Sequence, residues 1–247
     1  MITARPSLLG KKSGPRVPDG DRIYAVGDIH GRVDLLDAVL KRIDADLEKN
    51  PIRNCLEVFL GDYVDRGPAS RQVIDRLVGR SRSLRTIFLK GNHETYIADF
   101  VNNPHILDDW KRLGGLETLM SYGLAPSINA DANEQTQLAR AFDQALPENH
   151  RQFLRDLKPS FTCGDFFFVH AGIRPGVPLE EQHEEDLLWI RRDFLLCEEN
   201  FSKYVIHGHT PVPQPDIRPN RMNIDTGAYA TGRLTCLRLE DNRIDFI

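Results

Sequence analysis

Early in the chain one grammar repeats three times: a short apolar run, a glycine with a polar cluster, then a segment with apolar residues at helical spacing. The runs are residues 23–26, 56–60 and 86–89. Leu35, Leu36, Val39, Leu40 and Ile43 form one following stripe, and Val73, Ile74, Leu77 and Val78 form another. A short apolar run that gives way to a period of 3.6, again and again, is the βαβαβ pattern. It predicts an α/β chain with a parallel or mixed sheet covered by helices.

Residues 95–158 read as mostly helical, with Gly114-Gly115, Gly123 and Pro126 as interruptions, and are expected to form an inserted cap. Within it, Leu113, Leu116 and Leu119 read as core contacts of a cap helix beside the substrate rim. Strands return at 161–163 and 166–169, joined by Gly164-Asp165 as a hairpin turn. Further strands are expected at 204–206, 222–224, 234–239 and 243–246. Early βαβ units followed by late antiparallel strands predict two sheets packed together with helices outside. Residues 1–20 mix Pro6, Gly10, Gly14, Pro15 and Pro18 with Lys11 and Lys12 and show no hydrophobic period. They are expected to be a mobile arm, leaving 21–247 as a single domain.

At 247 residues, 40% hydrophobic and 28% charged, the chain can bury a sizeable core, which excludes a disordered or fibrous class. With 32 Lys+Arg against 36 Asp+Glu the net charge is −4, so there is no bulk field to hold a polyanion. Nucleic acid is therefore not an expected partner, and any phosphate recognition must be local. Cys55, Cys163, Cys197 and Cys236 form no C-x-x-C, so neither a zinc knuckle nor a disulfide framework is indicated. Reduced thiols fit a cytoplasmic protein. No apolar stretch is long enough for a membrane span or a signal sequence, and no membrane partner is expected.

The polar clusters that close the strands carry the chemistry. They are Gly27-Asp28-Ile29-His30-Gly31, Gly61-Asp62-Tyr63-Val64-Asp65-Arg66-Gly67 and Gly91-Asn92-His93-Glu94, then His170-Ala171-Gly172, His207-Gly208-His209-Thr210 and Asp225-Thr226-Gly227. In open α/β sheets the loops at the carboxyl ends of strands line one crevice, so clusters far apart in sequence can converge. Taken singly, Asp28, Asp62 and Asn92 read equally well as caps or turn residues. His170, His207 and His209 read as hydrogen-bonded core or turn histidines, and Asp65, Arg66 and His93 as a surface pair and a loop imidazole. Their joint occurrence, each at a strand end, is what turn chemistry does not account for. Carboxylates, an amide oxygen and imidazoles without a thiolate suit first-row divalent ions with open positions. Two such ions can share a carboxylate, clamp a phosphate and generate hydroxide at neutral pH, which is the chemistry of phosphoester hydrolysis. Arginines would then neutralise the transferring phosphoryl group.

On these motifs, from Gly27 to Gly227, the chain resembles the bacterial phosphoprotein phosphatases of the lambda phosphatase type, within the calcineurin-like metallophosphoesterases. The resemblance implies a β-sandwich of two mixed sheets flanked by helices and two divalent metals, manganese first, with iron or zinc as alternatives. It implies that Asp28 and His30 hold the first metal, Asp62 bridges, and Asn92, His170 and His209 hold the second. His93 would be the general acid, Asp65 its carboxylate partner, and Arg66 a phosphate clamp. The family's Trp-x-Arg pattern reads Trp189-Ile190-Arg191 here, making Arg191 a second phosphate ligand, with Arg192 beside it. The competing reading of Arg191 is a helix-surface residue paired with Glu184, Glu185 or Asp186. His207, on the opposite face of its strand from His209 by the period-two rule, reads as structural.

The implied activity is hydrolysis of phosphoserine or phosphothreonine in a phosphorylated protein or peptide by a dimetal-bridging hydroxide. A related alternative is a symmetrical diadenosine tetraphosphate hydrolase, which shares the metal core but cleaves an anhydride. A third reading, from another class, is a non-catalytic metal-stabilised binding module. Every expected ligand position is filled, which argues against it.

Overall fold

The computed structural model of the protein describes residues 14–247. Its strands are β1 (Asp21–Val26), β2 (Asn54–Phe59), β3 (Thr86–Phe88), β4 (Ser160–Cys163), β5 (Phe166–Val169), β6 (Tyr204–His207), β7 (Asp216–Ile217), β8 (Arg221–Asn223), β9 (Cys236–Glu240) and β10 (Arg243–Phe246). Its helices are α1 (Val33–Lys49), α2 (Ser70–Arg80), α3 (Asn92–Asn102), α4 (Leu107–Trp110), α5 (Gly115–Ser121), α6 (Ala132–Ala145), α7 (Glu148–Arg155), α8 (Glu184–Trp189), α9 (Arg192–Leu195) and α10 (Ala228–Thr231).

The strands form two mixed five-stranded sheets, ordered β10-β9-β1-β2-β3 and β4-β5-β6-β8-β7. Side chains alternate along a strand, and β1 shows the result. Ile23 and Ala25 point into the space between the sheets, where they meet Leu56, Val58, Phe166, Phe168, Ile206 and Leu237. Tyr24 and Val26 point the other way, onto Leu36, Val39 and Ile43 of α1 and Val73, Ile74 and Leu77 of α2. These are the stripes expected from helical spacing. Burying one such side chain contributes about 1.5–3 kcal/mol relative to exposure, so both faces of the first sheet are firmly held. Phe167, Val169 and Val205 cover the outer face of the second sheet together with Leu187, Ile190 and Phe194.

Parallel pairing joins β1 to β2 and β2 to β3, as the repeated grammar requires. The later strands differ from expectation. β5, β6 and β8 pair in parallel, and only β4 and β7 run antiparallel at the edges of that sheet. The physical reason is the long connection through α8 and α9 between β5 and β6, and the excursion through β7 between β6 and β8, which give the crossovers that parallel neighbours need. β9 and β10 then return to the first sheet, β9 antiparallel to β1 and β10 antiparallel to β9 at the edge. β7, two residues long among prolines, carries no alternation by which to predict it.

Gly164, with φ +57°, turns the β4–β5 hairpin at the expected place. Helices and short 3-10 turns fill 92–155, and Trp110, Leu119, Phe100 and Phe142 tie them to the core of the first sheet. Of the expected mobile arm, residues 1–13 lie outside the described residues. Val17 is buried, and its N–H donates to Asp241 O at 2.9 Å. No helix among the described residues is long and apolar enough to cross a membrane.

Candidate metal centre

Each polar cluster follows the carboxyl end of a strand: Asp28 and His30 follow β1, Asp62 to Arg66 β2, Asn92 and His93 β3, His170 β5, His209 β6, and Asp225 β8. Two of the loops are zipped together by their backbones. The amides of Ile29 and His30 both donate to Asp62 O, at 3.1 and 2.8 Å, and Gly31 N–H donates to Tyr63 O at 2.9 Å.

Asp28, His30, Asp62, Asp65, Asn92, His93, His170 and His209 are all buried. Two groups of potential ligands share Asp62: His30, Asp62 and His93 in one, Asp62, His170 and His209 in the other, with ligand atoms within 4.8 Å of one another in each. His30 Nε2 lies 3.4 Å from Asp62 Oδ2, and His170 Nε2 lies 3.4 Å from Asp62 Oδ1. One carboxylate therefore shows a different oxygen to each group. Asn92 Oδ1 lies 2.9 Å from His170 Nε2 and 2.8 Å from His209 Nδ1. Asp28 joins through the backbone, its Oδ2 accepting from His209 N–H at 2.9 Å. A Cβ on Gly208 would collide with Asp28 Oδ1, which is why glycine stands between the two histidines.

The donor set suits divalent ions. Val64 O, 2.8 Å from His30 Nδ1, and Leu60 O, 2.9 Å from His170 Nδ1, each accept a ring N–H. That fixes the tautomers and turns two bare Nε2 lone pairs toward Asp62. The lone pair of His170 then confronts the amide oxygen of Asn92, an approach of two acceptors that a cation between them would relieve. Asp28 Oδ1 and His209 Nε2 are buried without a hydrogen-bond partner. Burial lowers His30 to about 3 and His209 to about 2, and also lowers His170, so these imidazoles are neutral and ready to ligate. Burial opposes ionisation of Asp62, yet His170, His93, His30 and His209, which take up their protons before it does as pH falls, hold its carboxylate below the ordinary range. Burial, then Asp225 and Asp62, pushes Asp28 well above its ordinary value.

His93 is set apart by a carboxylate on its far nitrogen. Its Nδ1–H donates to Asp65 Oδ2 at 2.7 Å, while Nε2 sits 3.8 Å from Asp62 Oδ2 and 3.4 Å from an Arg66 Nη. Burial works against the charged imidazole, but Asp62 and Asp65 outweigh it and raise His93 above its usual value. Arg191 is exposed and reaches the rim, donating from Nη1 to Thr210 Oγ1 at 3.1 Å. The competing ion pair with Glu184, Glu185 or Asp186 does not form: Glu184 is held by Lys90 and Asp186 by Arg174, while Arg191 bonds Thr210. His207 lies outside both groups, buried with its ring edge-on to Phe194 at 4.9 Å.

Several neighbours were not singled out from the sequence. Glu94 accepts from the N–H groups of Asp62 and Gly91 through Oε2, at 3.0 and 2.9 Å, and from Tyr63 N–H through Oε1 at 2.8 Å. It ties the Asp62 loop to the start of α3, and burial pushes its carboxyl up to about 8. Its place three residues after Gly91 is a capping-box spacing, a signal that was readable. Trp110 and Thr118 hold Asp65: Nε1–H of Trp110 donates to Oδ2 at 2.9 Å and the Thr118 hydroxyl donates to Oδ1 at 2.6 Å.

Among the described residues six non-glycine residues have positive φ, and five belong here: His30, Asp62, Asp65, Arg66 and His209, between +47° and +69°. Each holds a backbone conformation that side chains disfavour, and such residues gather where function over-determines the structure.

Two mixed sheets with convergent carboxylate, amide and imidazole ligands at their carboxyl ends define a metal-dependent phosphoesterase class. The calcineurin-like phosphoesterase family model matches residues 21–247, and the chain belongs to that family. The asymmetrical bis(5'-nucleosyl)-tetraphosphatase PrpE of Anoxybacillus flavithermus is 29% identical over 233 residues, 86% of this chain and 88% of the relative. A solved structure described as a putative diadenosine tetraphosphatase superposes with a TM-score of 0.62 at 20% identity, covering 97% of this chain and 95% of the other. The cold-active protein-tyrosine phosphatase of a psychrophilic Shewanella gives a TM-score of 0.61 at 14% identity, covering 93% and 80%. The similar curated relatives thus carry a tetraphosphatase name, not that of the lambda-type protein phosphatases which the motifs resemble.

Proposed function

We propose that this hydrolase cleaves a phosphoanhydride of a dinucleoside tetraphosphate, the alternative to the phosphoprotein reading. The observation that carries the proposal is near-full-length similarity to tetraphosphatases. Support from geometry comes from two guanidinium groups at the buried ligand cluster: Arg66 beside His93, and Arg191 on Thr210 next to His209. A chain of phosphates laid across the cluster would meet both.

In this reading Asp28 and His30 hold one divalent ion, Asn92, His170 and His209 the other, and Asp62 both; manganese is the first candidate. Bound there, the ions supply Lewis-acid charge to phosphoryl oxygens and lower the pKa of water. Arg66 and Arg191 neutralise charge on the phosphoryl group, each fork matching two oxygens. Attack at phosphorus breaks the P–O bond opposite the incoming oxygen. The electron pair leaves with the departing phosphate, and His93 Nε2 is the group placed to give it a proton. Asp65 holds the ring through Nδ1 so that Nε2 faces the site.

A specific observation keeps the phosphoprotein reading alive. The buried His93–Asp65 pair keeps a protonated imidazole at the site, and a serine or threonine alkoxide needs that proton more than a phosphate leaving group does. The deciding experiment incubates the metal-loaded protein with diadenosine tetraphosphate and with a phosphoserine peptide and separates the products. ATP with AMP marks off-centre cleavage, and ADP alone marks the symmetrical reaction. Orthophosphate from the peptide without nucleotide products would overturn the proposal in favour of the phosphatase.

A further inference from the structure

Among the described residues three aromatic side chains are exposed, Trp189, Tyr229 and Phe246, and two of them border the ligand cluster. Tyr229, on α10, meets the His30 ring edge-on at 5.5 Å, and the Arg66 guanidinium lies 4.6 Å from its centroid. Trp189, the last residue of α8, meets the His209 ring edge-on at 6.1 Å and stands two residues before Arg191. Contacts therefore run in the order Tyr229, His30, Asp62, His170, His209, Trp189. Each end carries the same pair: one arginine and one ring left 39% exposed.

Leaving a large ring in water beside a charged crevice gains the fold little, since neither ring is buried in a core. A ligand with phosphates in the middle and a planar base at each end would use both pairs. Its phosphates would engage Arg66 and Arg191, and its bases would lie on Tyr229 and Trp189. Stacking is suited to this task because every base has a π-face and the neighbouring guanidinium adds a cation–π component. We infer that Tyr229 and Trp189 are two base-stacking platforms that select a ligand bearing a nucleobase on either side of its phosphate chain. The inference rests on the dinucleoside polyphosphate reading and adds to it the groups that recognise the bases.

The test uses a convenience of the sequence. The chain has two tryptophans, and Trp110 is fully buried, so emission responsive to ligand stacking comes from Trp189. AMP and ATP titrated into the metal-loaded protein should quench that emission, whereas inorganic triphosphate should not, and Trp189→Ala should abolish the response. Calorimetry covers the other platform. Tyr229→Ala should weaken AMP roughly ten-fold, and by a larger factor than inorganic phosphate, while Tyr229→Phe restores binding because the ring is kept. No quenching by either nucleotide up to its solubility, or equal weakening of AMP and phosphate in Tyr229→Ala, overturns the inference. Turnover of diadenosine tetraphosphate by the unaltered protein is scored separately. Its absence would sink the functional reading, while the binding results would still decide the platforms.

Discussion

Asp65 and Trp110 meet through one buried hydrogen bond, the indole Nε1–H donating to carboxylate Oδ2 at 2.9 Å. The same oxygen accepts the Nδ1–H of His93, so α4 of the helical insertion holds the partner of the proposed acid. Replacing Trp110 by Phe keeps most of the packing and removes the donor. A buried carboxylate left short of a partner costs about 1–3 kcal/mol, which a shift in the denaturant midpoint would register. Turnover should fall with it while metal content stays complete. An unchanged midpoint would show that water replaces the indole.

Asp62→Asn should impair both metal ions together, because its two oxygens face different ligand groups. Metal analysis of the purified variant checks this, and loss of a single equivalent would refute the shared carboxylate. His209→Ala should lose metal where His207→Ala keeps the full complement, since His207 packs against Phe194 away from the cluster.

Arg66→Ala and Arg191→Ala should weaken phosphate binding and slow hydrolysis with metal content intact, as expected of groups that touch phosphoryl oxygens and not the ions. Inhibition by inorganic phosphate measures it. An Arg191→Ala variant indistinguishable from the parent would shift attention to Arg192.

His93→Asn should lower any turnover of a phosphoserine peptide by roughly 10² to 10⁴-fold with metals retained. The loss should be smaller on an aryl phosphate or an anhydride, whose leaving groups need the proton less. The pH profile has a sign. His93 is raised above its ordinary value, so its charged form and any stability it contributes are present at lower pH and lost as pH rises through the folded-state pKa. Asp65→Asn removes one of the charges that raise it, so the alkaline limb should move to lower pH. A limb that stays in place would assign it to another group.

How far the sequence reached can be judged from particular residues. The stripe Leu36, Val39, Leu40 and Ile43 announced α1 because burial on one helical face leaves a local period. The clusters around Asp28, Asp62 and Asn92 announced a crevice because each sits at a strand end. Trp110 and Thr118 were silent: they bond Asp65 from 45 and 53 residues away, and no local pattern encodes that meeting. The parallel pairing of β5, β6 and β8 was also hidden, since strands of three or four residues carry no mark of direction. Substrate choice was the hardest to read. The ligand set is common to phosphomonoester and anhydride hydrolysis, and the platforms inferred at Tyr229 and Trp189 are what would separate them.

The positive-φ backbone at His30, Asp62, Asp65, Arg66 and His209 sets a direction for how this chain would drift. Glycine accepts that conformation without cost, and a side chain in it costs on the order of 1–3 kcal/mol. A population selected for heat resistance alone, with catalysis relaxed, would shed these five side chains together with the buried groups that bond them, such as Trp110 and Thr118 on Asp65, and would keep the sandwich while emptying the crevice. Sturdy, inert descendants would thus be recognised by glycines at these positions, and their retention in a thermostable lineage would mark continued selection for chemistry.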